Sequence, residues 1–190
     1  GRTVDVNQKN TGAMLAALTL SLLATGVAGA APFEPEFTIA KVAGTCQVQV
    51  PSTNDFGAAA EGQVCPYGTA IKTSEGSSCI VAFSEDNGCL VCQNTTVTIE
   101  EQEKDKKSKI IRITAGEVEF NVESGFRKHN RLSVITPGGT CEAIACTCAV
   151  EYRVIGDLKT SSYRCTEGDV EVRGNYFAVT GLGANEQVTV

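Results

Sequence analysis

From Phe37 onward the side chains repeat with a period of two, and this limits the chain more than any other feature does. Cys46, Val48 and Val50 alternate with Thr45, Gln47 and Gln49. Val118, Phe120 and Val122 alternate with Glu117, Glu119 and Asn121, and Cys148, Val150, Tyr152 and Val154 form a third such set, with Val170 and Val172 a fourth. In an extended backbone, successive side chains point to opposite faces, so each set sends one row to a core and the other to water. Residues 78–83 and 110–113 are denser apolar runs, suited to more buried strands. Turn formers fall between the runs: Asn54-Asp55-Phe56-Gly57, Glu75-Gly76, Asp86-Asn87-Gly88, Ser124-Gly125, Pro137-Gly138-Gly139, Glu167-Gly168 and Gly174-Asn175. Short strands with turns about every ten residues predict an all-β fold, an antiparallel β-sandwich or a barrel-like roll. A composition that is 42% hydrophobic, with 19 glycines and no Trp, can supply a core for such strands. No segment after Ala31 carries a helical period.

The N-terminal part is different. Residues 13–30 read AMLAALTLSLLATGVAGA, with no charge, and end in Ala28-Gly29-Ala30 before Ala31 and Pro32. Small residues at the third and first places before a cut are what a signal peptidase accepts, so cleavage after Ala30 is expected. Arg2 and Lys9 give a weak basic start. The run is also long enough for a marginal membrane anchor. A pilin-type stem would carry a Glu early in the run, and a lipid-attached protein would carry a Cys just after it; neither is present. The expected organisation is therefore an N-terminal hydrophobic helix, as signal peptide or membrane anchor, over residues 1–30, a linker over 31–38, and one all-β domain over 39–190. Each version delivers the domain out of the cytoplasm, to the periplasm or the cell surface, with membrane contact only through residues 13–30 if they remain uncleaved. The net charge of −6 disfavours nucleic acid as a partner.

Export gives the nine cysteines their expected chemistry. Cys46, Cys65, Cys79, Cys89, Cys92, Cys141, Cys146, Cys148 and Cys165 are candidate disulfide cysteines, because thiols pair in oxidising compartments. Cys89-Leu90-Val91-Cys92 has the spacing of half a zinc knuckle, and Cys146-Thr147-Cys148 would have to supply the rest. A second CxxC is missing, so no metal site is assigned. A thioredoxin-like role needs the first Cys at a helix N-terminus, and this pair lies in a β region. Many connectivities remain open, with Cys141 and Cys146 close enough to bridge across a bend. The odd cysteine is either free or joins two chains.

Catalytic readings find little support. His129 is the single histidine and lies in Phe126-Arg127-Lys128-His129-Asn130-Arg131, a basic segment between strands. Arg127, Lys128, His129 and Arg131 form a candidate contact loop for an acidic polymer or phosphate group. Glu167 with Asp169, and Glu85 with Asp86, flank expected turns rather than share a face. No glycine-rich phosphate cradle follows a strand and opens a helix. The expectation is a non-enzyme without cofactor. Residues 100–109, EEQEKDKKSK, read as a solvated hairpin loop, with a docking loop as the sharper alternative.

The order of these strands and turns resembles the FecR domain family. Gly62-Gln63-Val64-Cys65-Pro66-Tyr67-Gly68-Thr69-Ala70-Ile71-Lys72-Thr73 is similar to the family's opening. Ser77-Ser78, Ile80, Phe83 and Asn87-Gly88 resemble its next hairpin. Ile111, Ile113, Gly116, Val118 and Val122 resemble the strand pair that follows, and Leu132, Val134, Thr136 and Pro137 its strand ending in Thr-Pro. Glu167-Gly168-Asp169-Val170-Glu171-Val172 and Ala184-Asn185-Glu186-Gln187-Val188 resemble its last segments. The likeness covers about 39–190. Before Val150 the family usually has Gly-Thr, any residue, then Phe; Ala145, Cys146 and Cys148 stand at those places here, which implies a cysteine-rich branch with altered packing.

Better-known members are transmembrane regulators with a cytoplasmic segment that controls a sigma factor and a periplasmic part that senses an outer-membrane receptor. About a dozen residues precede the apolar run here, so the expectation omits sigma-factor control. What the resemblance implies is an extracytoplasmic binding or signalling domain that contacts an envelope protein or polysaccharide. The alternative is a structural or assembly subunit of the cell envelope, held by the N-terminal helix or by an intermolecular disulfide.

Overall fold

A computed structural model describes residues 36–84, 87–102, 105–122, 131–175 and 178–190. The hydrophobic helix expected within residues 1–30 lies outside the described residues, as do Arg127, Lys128 and His129 of the basic segment. All regular structure among the described residues is β. The strands are β1 Glu36–Ala43, β2 Cys46–Gln49, β3 Gly57–Ala58, β4 Val64–Pro66, β5 Thr69–Thr73, β6 Ser78–Ala82, β7 Gly88–Val91, β8 Thr96–Gln102, β9 Asp105–Val122, β10 Arg131–Thr136, β11 Gly139–Ile155, β12 Leu158–Gly174, β13 Ala178–Leu182 and β14 Glu186–Thr189. The first strand begins inside the stretch expected as linker, and its Phe37 is fully buried.

The long strands β9, β11 and β12 organise the sheet by changing partners along their length. Near its start β9 lies beside β8 and β10, and near its end beside β7 and β11. β11 moves from β10 to β9 at a bulge between Ala143 and Ala145. β12 pairs with β13 near Val172 and with β14 near Tyr163. One continuous sheet therefore curls on itself: the pairing of β9 with both β10 and β11 closes a small barrel, and the other strands add to it. The inner faces enclose one apolar cluster that runs from Phe37 and Ile39 through Ile71, Ile111, Ile113, Val118 and Phe120 to Val150, Tyr163 and Val172. Burying each large side chain of this kind contributes roughly 1.5–3 kcal/mol.

The alternation sorts the residues as expected in most strands. Cys46 and Val48, Val118, Phe120 and Val122, and Cys148, Val150 and Tyr152 are all buried, while Gln47, Gln49 and Glu119 are not.

Four expectations need correction. The sheet is not wholly antiparallel, because β10 runs parallel to β9, with Leu132 beside Lys109 and Val134 beside Ile111. Glu167-Gly168 is not a turn but lies within β12, where a second bulge shifts the register between Thr147 and Cys148. Residues 100–109 belong mostly to β8 and β9, with Glu101 opposite Lys109. Lys109 is buried rather than solvated; its ammonium meets the Glu101 carboxylate and stands 4.0 Å from the centre of the Tyr67 ring. Finally, Val154 continues the inward row by sequence yet is 55% exposed.

Polar side chains lock the far end of the barrel. The Thr136 hydroxyl lies 2.7 Å from the Tyr163 hydroxyl and 2.8 Å from that of Ser161, so a buried network ties the end of β10 to β12. Each such group is satisfied inside the core, where an unpaired hydroxyl would cost about 1–3 kcal/mol.

Candidate functional site

The sheet leaves one piece of itself unsupported. β11 loses its pairing with β9 at Tyr152, opposite Gly116, and β12 loses β14 at Ser162, opposite Thr189. Backbone bonds between Ser161 and Val190 extend the support by one step. Beyond that point β11 and β12 pair only with each other among the described residues, through Arg153–Thr160, Val154–Lys159 and Ile155–Leu158. The arm closes on Gly156-Asp157, a two-residue loop with glycine first and a φ of 61°, which is the composition that tight hairpins favour. All of residues 153–159 are exposed, including Val154, Ile155 at 66% and Leu158 at 62%.

A two-stranded ribbon with no core beneath it gains nothing from apolar side chains at its tip. Among the described residues Val154, Ile155 and Leu158 stay more than half exposed, so burial in the barrel core does not account for their presence. Charged side chains follow toward the barrel: Arg153 pairs with Glu151, and Arg164 donates to Glu117 at 3.1 Å. Burial, with Glu151 as a second cause, raises the Glu117 carboxyl above its ordinary value, while Arg164 opposes that rise. A recess of about 40 Å³ lies among Glu117, Ala149, Glu151, Ser162, Arg164 and Gln187. Pockets that hold small molecules start near 300 Å³, so this face suits surface contact better than ligand capture.

The cysteines gather on the inner side. Eight of the nine are buried, Cys92 is half-buried, and all are free thiols. Burial is the main cause that raises the thiols of Cys46, Cys65, Cys79, Cys89, Cys92, Cys141 and Cys165, Cys79 and Cys92 to about 12, while a hydrogen bond with Cys146, then burial, raises that of Cys148. Such groups are protonated and enclosed near neutral pH, the opposite of a reactive nucleophile. Cys89 faces Phe120 and Cys92 lies just past the end of β7, so the CxxC is an extended strand end rather than a knuckle. Among the described residues no group of three or more His, Cys, Asp or Glu is arranged to hold a metal ion. Cys141 faces Val172 and Cys146 faces Gly168, so the ladder does not bring those two together across a bend. Cys148, in contrast, faces Cys165 directly.

Of the basic segment, only Arg131 is described. It opens β10, is exposed, and lies beside Ser108 of β9. Glu167 and Asp169 flank Gly168, between the two bulges of the ladder, opposite Thr147 and Ala145. Sequence reasoning missed the arm altogether. Gly156-Asp157 between Val154-Ile155 and Leu158 was the available signal, but the unbroken alternation from Cys148 to Val154 made the segment look like ordinary core strand.

The protein-family model described as FecR protein matches residues 69–171. The chain belongs to this family. The match starts at β5 and ends within β12, so it contains the β11–β12 arm and seven of the nine cysteines fall inside it. Among solved structures, two crystal structures of a candidate anti-sigma factor from Parabacteroides distasonis align at 17% identity and a TM-score of 0.53. The alignment covers 64% of this chain and 54% of that one, so the likeness spans about half of the solved protein and is one of fold. No curated protein sequence matches. The FecR fold here therefore comes with a cysteine-lined interior and a projecting apolar-tipped arm.

Proposed function

We propose that this FecR-family chain is an extracytoplasmic, non-catalytic binding or signalling domain that contacts an envelope protein through the β11–β12 arm. The observation that carries this reading is the exposure of Val154, Ile155 and Leu158 on a ribbon that has no core of its own. Apolar tips of this kind fill pockets on protein partners, where central apolar anchors supply most of the binding energy. A polysaccharide would instead call for stacked aromatic rings, and the arm carries none. Family membership and a fold shared with a candidate anti-sigma factor support a regulatory or signalling role. The apolar run at 13–30 supports export. Arg127, Lys128, His129 and Arg131 would add a basic contact for an acidic partner.

A photo-crosslinking residue at Ile155, compared with one at the exposed Thr114 of β9, tests the proposal in intact cells. Cross-links from Ile155 to an envelope protein, with few from Thr114, are the expected result. Equal labelling from both positions, or recovery of the mature chain in the cytosol, would overturn it. The assembly-subunit reading predicts a different product, in which the chain cross-links to copies of itself.

A further inference from the structure

We propose that Cys148 and Cys165 form a disulfide that clasps the base of the β11–β12 arm. The two residues are direct partners in the antiparallel ladder, immediately beside the bulge that shifts the register at Thr147. Directly opposed residues in such a ladder have Cα atoms about 4.5–5.5 Å apart, inside the range of roughly 4.4–6.8 Å that a disulfide spans. The bond therefore needs rotation of two side chains and no movement of the backbone. Both side chains point inward, at 3% and 0% exposure, and the Cys148 thiol meets that of Cys146 first and that of Cys165 as well.

The other cysteines lack this placement. In the ladder Cys46 faces Thr73, Cys65 faces Phe37, Cys79 faces Val91, Cys89 faces both Val81 and Phe120, Cys141 faces Val172 and Cys146 faces Gly168. Cys146 is the nearest competitor for Cys148, two residues away on the same strand. Bridging those two would pull an extended segment out of its ladder with β9, where Cys146 pairs with Val122 and Cys148 with Phe120.

The chemistry is thiol–disulfide exchange with an oxidant that itself carries a disulfide, either a small molecule or a protein. The thiolate of one cysteine attacks a sulfur of the oxidant, breaking its S–S bond and releasing one oxidant thiol. The thiolate of the second cysteine then attacks the mixed disulfide and releases the other oxidant thiol. One S–S bond is lost and one is gained, and the two protons and two electrons leave on the oxidant. Because both thiols are enclosed in the folded barrel, the exchange takes place while the chain folds, and the finished bond is shielded from reductants.

The pairing rests on strand register and not on the proposed partner or on export, so it is tested on purified protein. The full chain is refolded from denaturant in a mixture of reduced and oxidised glutathione, then denatured without reductant, alkylated, and mapped by mass spectrometry. The expected result is a cross-linked peptide pair containing Cys148 and Cys165, with alkylation of both at least tenfold lower than after reduction. In Cys148→Ala, alkylation of Cys165 should return to the level of the reduced sample. Full alkylation of both in the refolded wild type, or linkage of either to another cysteine, would overturn the pairing. Urea-quenched alkylation of the native envelope-purified chain gives a second reading that does not depend on refolding. Loss of the arm's partner contact with the cross-linked peptide intact would count against the proposed function alone.

Discussion

Lys109 and Glu101 face each other across β8 and β9, and the ammonium of the buried lysine meets the carboxylate of the partly exposed glutamate. The same ammonium lies over the Tyr67 ring, so an acid, an aromatic face and a cation converge at one edge of the core. A cation so enclosed depends on its partners for what it loses in hydration. Removing the acid while the cation stays should therefore cost more than removing the cation. Glu101→Ala is expected to lower stability by about 2–3 kcal/mol, and Lys109→Met by less than about 1 kcal/mol, since Met keeps most of the buried stem. Urea midpoints at unchanged slope measure both, and equal losses would contradict the asymmetry.

Gly168 lies between the two bulges of the β11–β12 ladder, directly opposite Cys146. Its φ is 78°, and a Cβ there would sit 1.8 Å from the carbonyl oxygen of Ala145. Gly156 at the tip of the arm also has a positive φ, 61°, but a Cβ there would meet open space. The two positions separate backbone strain from collision. Gly156→Ala should cost roughly 1 kcal/mol, the strain of a left-handed residue alone. Gly168→Ala should cost clearly more, above about 2 kcal/mol, because the β11–β12 ladder must separate to admit the methyl group. Thermal unfolding of the two variants side by side is the measurement.

These positions also mark how far the sequence could be read. Alternation correctly buried Val118, Phe120 and Val122, because each strand face there has one solvent side and one core side. The strand ending in Thr136 was recognised, although its role in meeting Tyr163 and Ser161 depends on a contact 25 or more residues away. The parallel pairing of β10 with β9 left no local trace, since side-chain alternation is the same in either direction of pairing. Gly168 read as a turn because the positive φ it adopts inside the strand, 78°, is also what a turn asks of a residue. Lys109 and the arm were missed for opposite reasons. A charge-rich run hid a buried lysine whose partner lies across the hairpin, and an apolar row hid residues that extend past the last supporting strand. Register, not composition, decides both.

Acid should stabilise the barrel locally through Glu117. Burial, then the neighbouring Glu151, raises its carboxyl above the ordinary value of 4.5 in the folded chain. The folded state therefore holds a proton more firmly than the unfolded state between 4.5 and the raised value, and across that window stability falls as pH rises. Glu117→Gln removes this titration, although it also weakens the contact with Arg164. Plotted against pH, the wild-type urea midpoint should fall relative to that of the variant from 4.5 upward and level off once Glu117 is fully ionised. A difference between the two that does not change with pH would show that the carboxyl is not perturbed.

The clasp at Cys148 and Cys165 should be visible in heat stability. Closing a loop of this length in the unfolded chain adds about 3 kcal/mol to the folded state. For a domain of this size, that corresponds to a rise in Tm of roughly 6–12 °C. Oxidised wild type should lose most of that rise when reductant is added. Cys165→Ala should melt at nearly the same temperature with and without reductant, and this comparison within one variant cancels the cavity left by the missing sulfur. A reductant-sensitive Tm that persists undiminished in Cys165→Ala would place the stabilising bond elsewhere.

The arm can be altered without weakening the barrel, and that separation allows its role to be measured. Ile155 and Leu158 are paired at the loop, more than half exposed, and absent from the buried cluster. Replacing either with Ser removes no packed contact of the core, so stability should change by less than about 0.5 kcal/mol. Partner contact responds differently, because an apolar anchor that fills a pocket carries energy only when bound. Truncating such an anchor typically costs 1–2 kcal/mol or more, and about 1.4 kcal/mol is tenfold in affinity. Ile155→Ser with Leu158→Ser should therefore reduce cross-linking at the neighbouring Val154 by at least about tenfold, while the urea midpoint stays where it was. Substituting Thr114→Ser on β9 should change neither. If the double variant keeps full cross-linking, the apolar tip is not the contact; if it loses stability in step with contact, the arm is part of the fold rather than a surface offered to another protein.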